Sequence, residues 1–264
     1  MSTILITGAT DGIGLEAAKR FAAEGHGLVL HGRNPAKMEA ALAEVGAVAP
    51  DASIETHLAD LSDLAAVDAL AAAITERHDR IDVIINNAGV FKTPSPITAT
   101  GMDVRFVVNT IAPYRLTRLL LPLLPPTGRV VNLSSAAQAP VDLAALAGKV
   151  RLADMDAYAQ SKLAITMWSH HLAEELGADG PVVVAVNPGS LLATKMVKDG
   201  FGVAGNDIGI GADILARAAL SDEFADAGGR YWDNDSGRFA PPHPDGLDPV
   251  KIKGVVDTIE SLLA

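Results

Sequence analysis

The sequence predicts an α/β fold: a doubly wound parallel sheet with helices on both faces. Three observations carry that expectation. Short β-rich runs alternate with longer helical patterns almost from end to end. Many of these runs are continuously apolar, as a parallel sheet covered on both faces requires. The first run leads into a glycine-rich turn that opens the first helical pattern. Alternation of this kind implies right-handed crossovers between neighbouring strands.

The elements follow in order. Strand 3–7, Thr3-Ile4-Leu5-Ile6-Thr7, precedes helix 13–24. Strand 27–31 precedes helix 35–45, strand 53–58 precedes helix 64–78, and strand 81–86 precedes helix 102–121. Strand 129–133 then leads to helix 156–176, a stretch of helix-forming composition without Gly or Pro. Strand 182–187 leads to helix 212–220, and strand 229–232 ends the alternation. From about Ser236 the composition changes. Phe239-Ala240-Pro241-Pro242-His243-Pro244-Asp245-Gly246 reads as irregular within a segment of about 236–249, and 249–263 as a last amphipathic helix. With no Gly/Ser-rich linker and no repeat, residues 1–264 read as one domain.

Composition narrows the function classes. Apolar residues at 49% and charged residues at 20% describe a globular chain, not a disordered one. Acidic residues number 32 against 21 basic ones, and no basic run could follow a phosphate backbone, so nucleic-acid binding is not expected. The absence of cysteine removes disulfides, thiolate metal sites and cysteine nucleophiles. His170 and His171 read as packing or surface residues, and no carboxylate–histidine spacing argues for a metal. No window approaches a membrane span and no signal peptide is evident, so the expected location is cytoplasmic.

Tyr158-Ala159-Gln160-Ser161-Lys162 carries candidate chemistry. Positions i and i+4 of a helix share a face. An ammonium beside a phenol favours the phenolate, which would ease proton transfer near neutral pH. A solvated surface pair is the plain alternative.

Thr7-Gly8-Ala9-Thr10-Asp11-Gly12-Ile13-Gly14 follows the first strand. One glycine permits a tight turn, one lets backbone N–H groups approach a pyrophosphate, and one lets helix pack on strand. The second strand ends His31-Gly32-Arg33-Asn34, with no acid between Glu24 and Glu39 to meet a ribose hydroxyl. Gly32 leaves room where that acid would stand. Arg33, with Lys37 nearby, matches a 2′-phosphate instead, so NADP(H) is expected over NAD(H).

Together with Asn86-Asn87-Ala88-Gly89 after the fourth strand, these motifs resemble the short-chain dehydrogenase/reductase family, over residues of about 3–232. The resemblance implies a seven-stranded Rossmann sheet and a set of roles. Asp60 and Leu61 resemble the pair at the adenine ring. Asn87, Ala88 and Gly89 resemble the motif that steadies the central strand and lines the adenosine ribose. Asn109 matches the helix asparagine that anchors a water linked to the lysine. Ser135 looks like the serine that holds the substrate oxygen, with Ser134 the structural alternative. Pro188, Gly189 and Thr194 resemble the turn that reaches the nicotinamide. Tyr158 is then the acid/base, and Lys162 holds the nicotinamide ribose and lowers the tyrosine pKa.

From Ser135 to Tyr158 there are 23 positions, more than in compact members, and the excess lies at 141–154. This insertion and Gly229-Arg230-Tyr231-Trp232 are similar to the retinol-dehydrogenase-like and carbonyl-reductase-like branches. The insertion is expected to border the pocket, and to block or reshape a dimer interface that the family often forms on the helix after it. A homo-oligomer is therefore an open expectation. A substrate loop is expected at about 190–209, where Met196, Val197, Phe201 and Val203 interleave with Gly200, Gly202 and Gly205. It suits a lid over an apolar substrate; an ordinary surface loop is the alternative. The activity implied is hydride transfer between NADP(H) and a carbonyl or secondary alcohol. Reduction of an activated C=C bond and a non-catalytic NADP(H) sensor are the competing readings.

Overall fold

The computed structural model describes residues 1–264, the side chain of Phe201 excepted. In chain order the elements are β1 Thr3–Ile6, α1 Gly12–Ala23, β2 Gly27–Gly32, α2 Pro35–Val48, β3 Ile54–Leu58, α3 Leu64–Thr75 and β4 Val83–Asn86. A long helix follows in three pieces, α4 Val104–Phe106, a π-helical turn Val107–Ile111, and α5 Ala112–Leu120. Then come β5 Arg129–Leu133, α6 Leu143–Leu146, α7 Asp154–Leu176, β6 Val182–Asn187, α8 Lys195–Phe201 and α9 Gly209–Leu220. The chain closes with β7 Tyr231–Asp233, β8 Arg238–Ala240 and α10 Pro249–Leu263.

The strands form one sheet in the order β3-β2-β1-β4-β5-β6-β7-β8. The strands from β1 to β7 are parallel, and β8 runs antiparallel to β7. Side-chain alternation divides the core in two. Leu5, Val29, Ile84, Val130 and Val183 face α3, α5, α7 and α10. Ile4, Ile6, Leu30, Ile85, Val131 and Val184 face α1, α2 and α9. Period two along each strand and apolar residues on both faces make the sheet doubly wound.

The structure differs from the sequence reading in three places. The expected seven strands are joined by an eighth, because part of the segment read as irregular, Arg238–Ala240, pairs with Tyr231–Asp233. Gly237, at φ 64°, closes that hairpin, and the Trp232 and Phe239 rings meet edge to face at 4.9 Å. The stretch 190–209 contains the helix α8. The insertion at 141–154 contains α6, capped by Asp142, whose carboxylate accepts from the amides of Ala144 and Ala145. The insertion's ties run to Gly101 through Arg151, to Gln160 through Asp142, and to α10. Ile252, Val255, Val256 and Ile259 of α10 are buried in the cluster that holds Trp168 and Leu172 of α7. No helix is long and apolar enough to cross a membrane.

Candidate active site

The strand order reverses between β1 and β4, so a crevice opens beyond their C-terminal ends. The glycine turn lies there. Gly8 and Gly12 have φ of 66° and 59°, a region that glycine enters without steric cost. A Cβ on Gly14 would stand 2.4 Å from Asn87 Nδ2 and 2.5 Å from the Gly8 carbonyl oxygen. The Asn87 amide donates to the carbonyls of Thr7 and Gly8 at 2.9 and 3.0 Å. The Thr7 hydroxyl oxygen accepts from the backbone N–H groups of Asn87 and Ala88 at 3.1 Å each. The turns after β1 and β4 are thereby one unit. Thr10 and Ile13 are half-buried on its rim, and Asp11 is exposed with its carboxylate accepting from Lys37 Nζ at 2.6 Å.

At the end of β2, Arg33 is exposed, with no hydrogen-bond or ion-pair partner among the described residues; Lys37 is committed to Asp11. The space beside Gly32 is not vacant. A Cβ there would lie 2.5 Å from Cγ2 of Thr10 and 3.2 Å from Met38 Cε. Asp60 is exposed and accepts from the amide and hydroxyl of Ser62 at 2.9 and 2.8 Å. Burial pushes its carboxyl up, but Ser62, with Arg33 and His31 beyond, holds it below the usual range. The Leu61 side chain is buried in the core, so only its backbone faces the crevice loop.

His31 was not singled out by sequence, yet it joins these loops. Its Nδ1 accepts from Gly8 N–H at 3.3 Å, so Nε2 carries the proton and donates to the Ala59 carbonyl at 3.0 Å. Burial holds the ring's pKa below its usual value. An ionisable residue inside the apolar run Leu28-Val29-Leu30-His31 was the available signal.

The second half of the site is organised by α7. Arg105, buried in α4, forks onto Asp103 at 2.8 and 2.6 Å and also donates to Asp154, tying down the first turn of α7. One turn further lies Tyr158, and one turn beyond that Lys162. The Lys162 ammonium donates to the Leu133 carbonyl at 2.7 Å and lies 5.7 Å from the centre of the Tyr158 ring. Asn109 sits in the π-helical turn, where the helix widens. Its amide accepts from Val90 N–H at 2.8 Å and donates to the Val90 carbonyl at 2.9 Å and to Ser161 Oγ at 3.0 Å. A Cβ on Gly89 would lie 3.5 Å from Asn109 Oδ1 and 3.6 Å from Lys162 Nζ, so these three residues share one corner.

The two serines after β5 point to different tasks. Ser134 is buried, donating to the Lys162 carbonyl at 2.9 Å and sharing a hydrogen bond with Thr166 at 2.7 Å. Ser135 is half-buried, and its hydroxyl is hydrogen-bonded to Tyr158. Burial raises the Tyr158 pKa and the Ser135 bond only partly opposes it. This corrects the expectation that Lys162 holds the phenol down. The ammonium is directed to Leu133, and burial itself pushes Lys162 down to about 8.

Beyond β6, Gly189 has φ 120°, and its N–H donates to Asn187 Oδ1 at 3.3 Å; Pro188 precedes it. Thr194 caps α8, its hydroxyl oxygen accepting from Val197 N–H at 3.2 Å, and its methyl faces Gly12. Met196 Cε is 3.8 Å from the Cβ position of Gly89, while Gly200 lies against the Phe91 ring and its carbonyl accepts from Lys92 Nζ at 3.1 Å. Phe91 in turn meets the Tyr158 ring at 5.1 Å. The segment 195–200 therefore lies over the corner formed by Gly89, Lys162 and Tyr158. The side chain of Phe201 falls outside the described residues.

All the sequence-predicted positions thus line one crevice from Arg33 to Tyr158. Glycine-lined backbone and an unpartnered guanidinium suit a phosphorylated dinucleotide at one end. A phenol, a hydroxyl and an ammonium suit proton transfer to a carbonyl oxygen at the other. Among the described residues, no cluster of His, Cys, Asp or Glu could hold a metal ion.

Comparison with known proteins agrees with this geometry. A family model described as short chain dehydrogenase matches residues 2–201. Retinol dehydrogenase 13 of Homo sapiens is 30% identical over 257 residues, covering 88% of this chain and 76% of that protein. The crystal structure of an uncharacterized protein from Mycobacterium Paratuberculosis superposes with a TM-score of 0.81 at 28% identity, covering 99% of this chain and 93% of that one. A short chain dehydrogenase from Shigella flexneri 2a str. 301, complexed with NADP, gives a TM-score of 0.69 at 27% identity, covering 88% and 96%.

Proposed function

The chain belongs to the short-chain dehydrogenase family, in its retinol-dehydrogenase-like branch, and is an NAD(P)-dependent oxidoreductase acting on CH–OH or C=O groups; from that premise we propose an NADP(H)-dependent enzyme with Tyr158 as acid and base. The observation that carries the proposal is the convergence of Ser135 and Tyr158 in one hydrogen bond, beside the buried Lys162 ammonium.

The residues present fit a dinucleotide. Positive φ at Gly8 and Gly12, and the closed contact of Gly14 with Asn87, leave backbone N–H groups at the start of α1 for a pyrophosphate. Arg33 would hold a 2′-phosphate, with Thr10 and Asp11 beside it. Asp60, the Leu61 backbone, Ala88 and Gly89 would line the adenosine, and Pro188, Gly189 and Thr194 the nicotinamide end. When bound, the nicotinamide supplies or accepts the hydride.

The chain supplies orientation and proton transfer. Ser135 holds the substrate oxygen by its hydroxyl. Tyr158, whose raised pKa keeps it protonated at neutral pH, gives its proton to that oxygen in reduction and takes one back in alcohol oxidation. Lys162 presents a positive charge to ribose hydroxyls and to the phenolate left behind. Asn109 fixes the loop at Val90 and joins it to α7, and a proton relay through water at this turn is part of the proposal. Phe91, Met196 and the Tyr158 ring favour an apolar or aromatic substrate of small to medium size. A single nucleotide-binding domain over 1–264 and a cytoplasmic location belong to the same proposal, the latter tested by cell fractionation.

The test is a panel of ketones, aldehydes, quinones and secondary alcohols, followed by nicotinamide absorbance with both cofactors. Alcohol products distinguish this reading from C=C reduction. Tyr158→Phe is expected to lower kcat by about 10²–10⁴-fold, and an unchanged kcat on every substrate would overturn the role. Arg33→Ala is expected to raise KM for NADPH by about tenfold or more while sparing NADH. Equal effects on both cofactors defeat the NADP(H) assignment.

A further inference from the structure

The hairpin that joins β7 to β8 turns through Asp233-Asn234-Asp235-Ser236-Gly237, and this turn grips the one after β6. Asp235 Oδ1 accepts from Ser190 N–H at 2.7 Å. Its Oδ2 accepts from the Ser190 hydroxyl at 2.5 Å and from the Asn187 amide at 2.9 Å. Asn234 adds two bonds: its amide donates to the Pro188 carbonyl at 3.0 Å, and its N–H to the Asn187 carbonyl at 3.2 Å. Residues 187–190 are thereby held from one side by a single turn of chain about 45 residues further on.

The gripping turn is itself firmly mounted. Asn187 and Asp233 are register partners in the parallel pair β6–β7. Behind the turn, Trp232, Phe224 and Phe239 pack ring against ring at 4.9–5.2 Å. The Arg230 guanidinium lies 3.7 Å over the Phe239 ring. Three donors converge on Asp235, and no cation does. That arrangement sets an orientation for Ser190 instead of forming an ion pair. A turn containing Gly189, at φ 120°, has few intrinsic restraints of its own and takes its position from such partners.

We propose that Asp235 is a positioning residue for the reaction: through Ser190 and Asn187 it sets the 187–190 turn at the distance from Ser135 and Tyr158 that hydride transfer requires. The inference rests on the reading above that this turn borders the nicotinamide. It assigns to the β7–β8 hairpin a task that the seven-stranded family pattern does not contain. The adenosine end of the crevice, between Gly8, Arg33 and Asp60, makes no contact with Asp235, so its affinity is independent of the clamp.

The experiment compares wild type with Asp235→Ala, Asp235→Asn and Ser190→Ala. It measures kcat and KM for reduction of one accepted carbonyl, binding of NADPH, binding of 2′,5′-ADP, and thermal midpoint. Asp235→Ala is expected to lose up to about 100-fold in kcat, the scale of a misplacement near 1 Å. It should weaken NADPH while 2′,5′-ADP binds as in wild type. Asn keeps an acceptor for Ser190 N–H and should recover most of the loss; Ser190→Ala, which removes only the hydroxyl bond, should fall between. If Asp235→Ala matches wild type in kcat and NADPH binding, the inference is overturned alone. If it loses 2′,5′-ADP in proportion, Asp235 is only structural and the inference fails. Should Asp235→Ala not fold, the Ser190→Ala split between the two ligands decides. A wild type that binds 2′,5′-ADP and NADPH but reduces no carbonyl overturns the functional reading instead.

Discussion

Thr10 fills the space beside Gly32: a Cβ on Gly32 would lie 2.5 Å from the Thr10 methyl. Read from sequence, Gly32 leaves room for an acid, but the folded chain has already used that room. Gly32→Asp alone is therefore expected to weaken both cofactors, because Thr10 must move off the rim of the glycine turn. Gly32→Asp with Thr10→Ala removes the clash and should shift preference toward NADH. Comparing kcat/KM for NADPH and NADH in the two variants checks this. A clean switch by the single variant would show that Thr10 moves at no cost.

Ser134 and Ser135 are expected to separate stability from rate. Ser134 is buried between Lys162 and Thr166, so Ser134→Ala leaves buried groups unpaired and should cost about 1–3 kcal/mol of stability. Ser135→Ala touches the half-buried hydroxyl and should cost rate with little loss of thermal midpoint. Denaturation and steady-state kinetics on both variants distinguish the roles. The reverse pattern would exchange them.

Burial pushes the Lys162 ammonium down to about 8. In the free protein it is charged below that pH and neutral above it. Dinucleotide affinity that depends on its charge should therefore be complete below about pH 8 and fall as pH rises through that value. Stability should move the opposite way: the unfolded lysine, at 10.5, holds its proton while the folded one gives it up, so folding gains between these values. A titration of cofactor affinity in wild type and Lys162→Met measures the first effect. A wild-type profile as flat as the variant's would show that the ammonium does not bind the dinucleotide.

The C-terminal helix bears on assembly. Ile252, Val255, Val256 and Ile259 cover the part of α7 that holds Trp168 and Leu172, the helix that family resemblance marks as a dimer surface. A dimer through that face is not expected, and light scattering should give the mass of one chain or an assembly built on another face. A dimer dissociated by charged substitutions on the outer surface of α7 would contradict this.

Much of the site is legible in the sequence because its signals are local. Gly8 and Gly12 are required by backbone conformation within one turn, and Tyr158 and Lys162 are brought together by one turn of helix. The eighth strand was legible in part: Asp233-Asn234-Asp235-Ser236-Gly237 is a strong turn composition, flanked by Trp232 and Phe239, but Pro241-Pro242 just beyond it favours an irregular reading. His31 carried a weaker signal, a lone ionisable group in an apolar strand.

By itself, the sequence determined the order of strands and helices, the glycine turn, and the pairing of Tyr158 with Lys162 on one helix. Each follows from periodicity or from a φ requirement within a few residues. Only the tertiary structure decided that Thr10 occupies the space at Gly32, that Ser134 turns inward while Ser135 meets Tyr158, and that Asp235 holds Ser190. Only it decided that burial, not the neighbouring ammonium, governs the phenol. These outcomes depend on atoms far apart in the chain and on how much water the folded crevice removes, and no local pattern of residues encodes either.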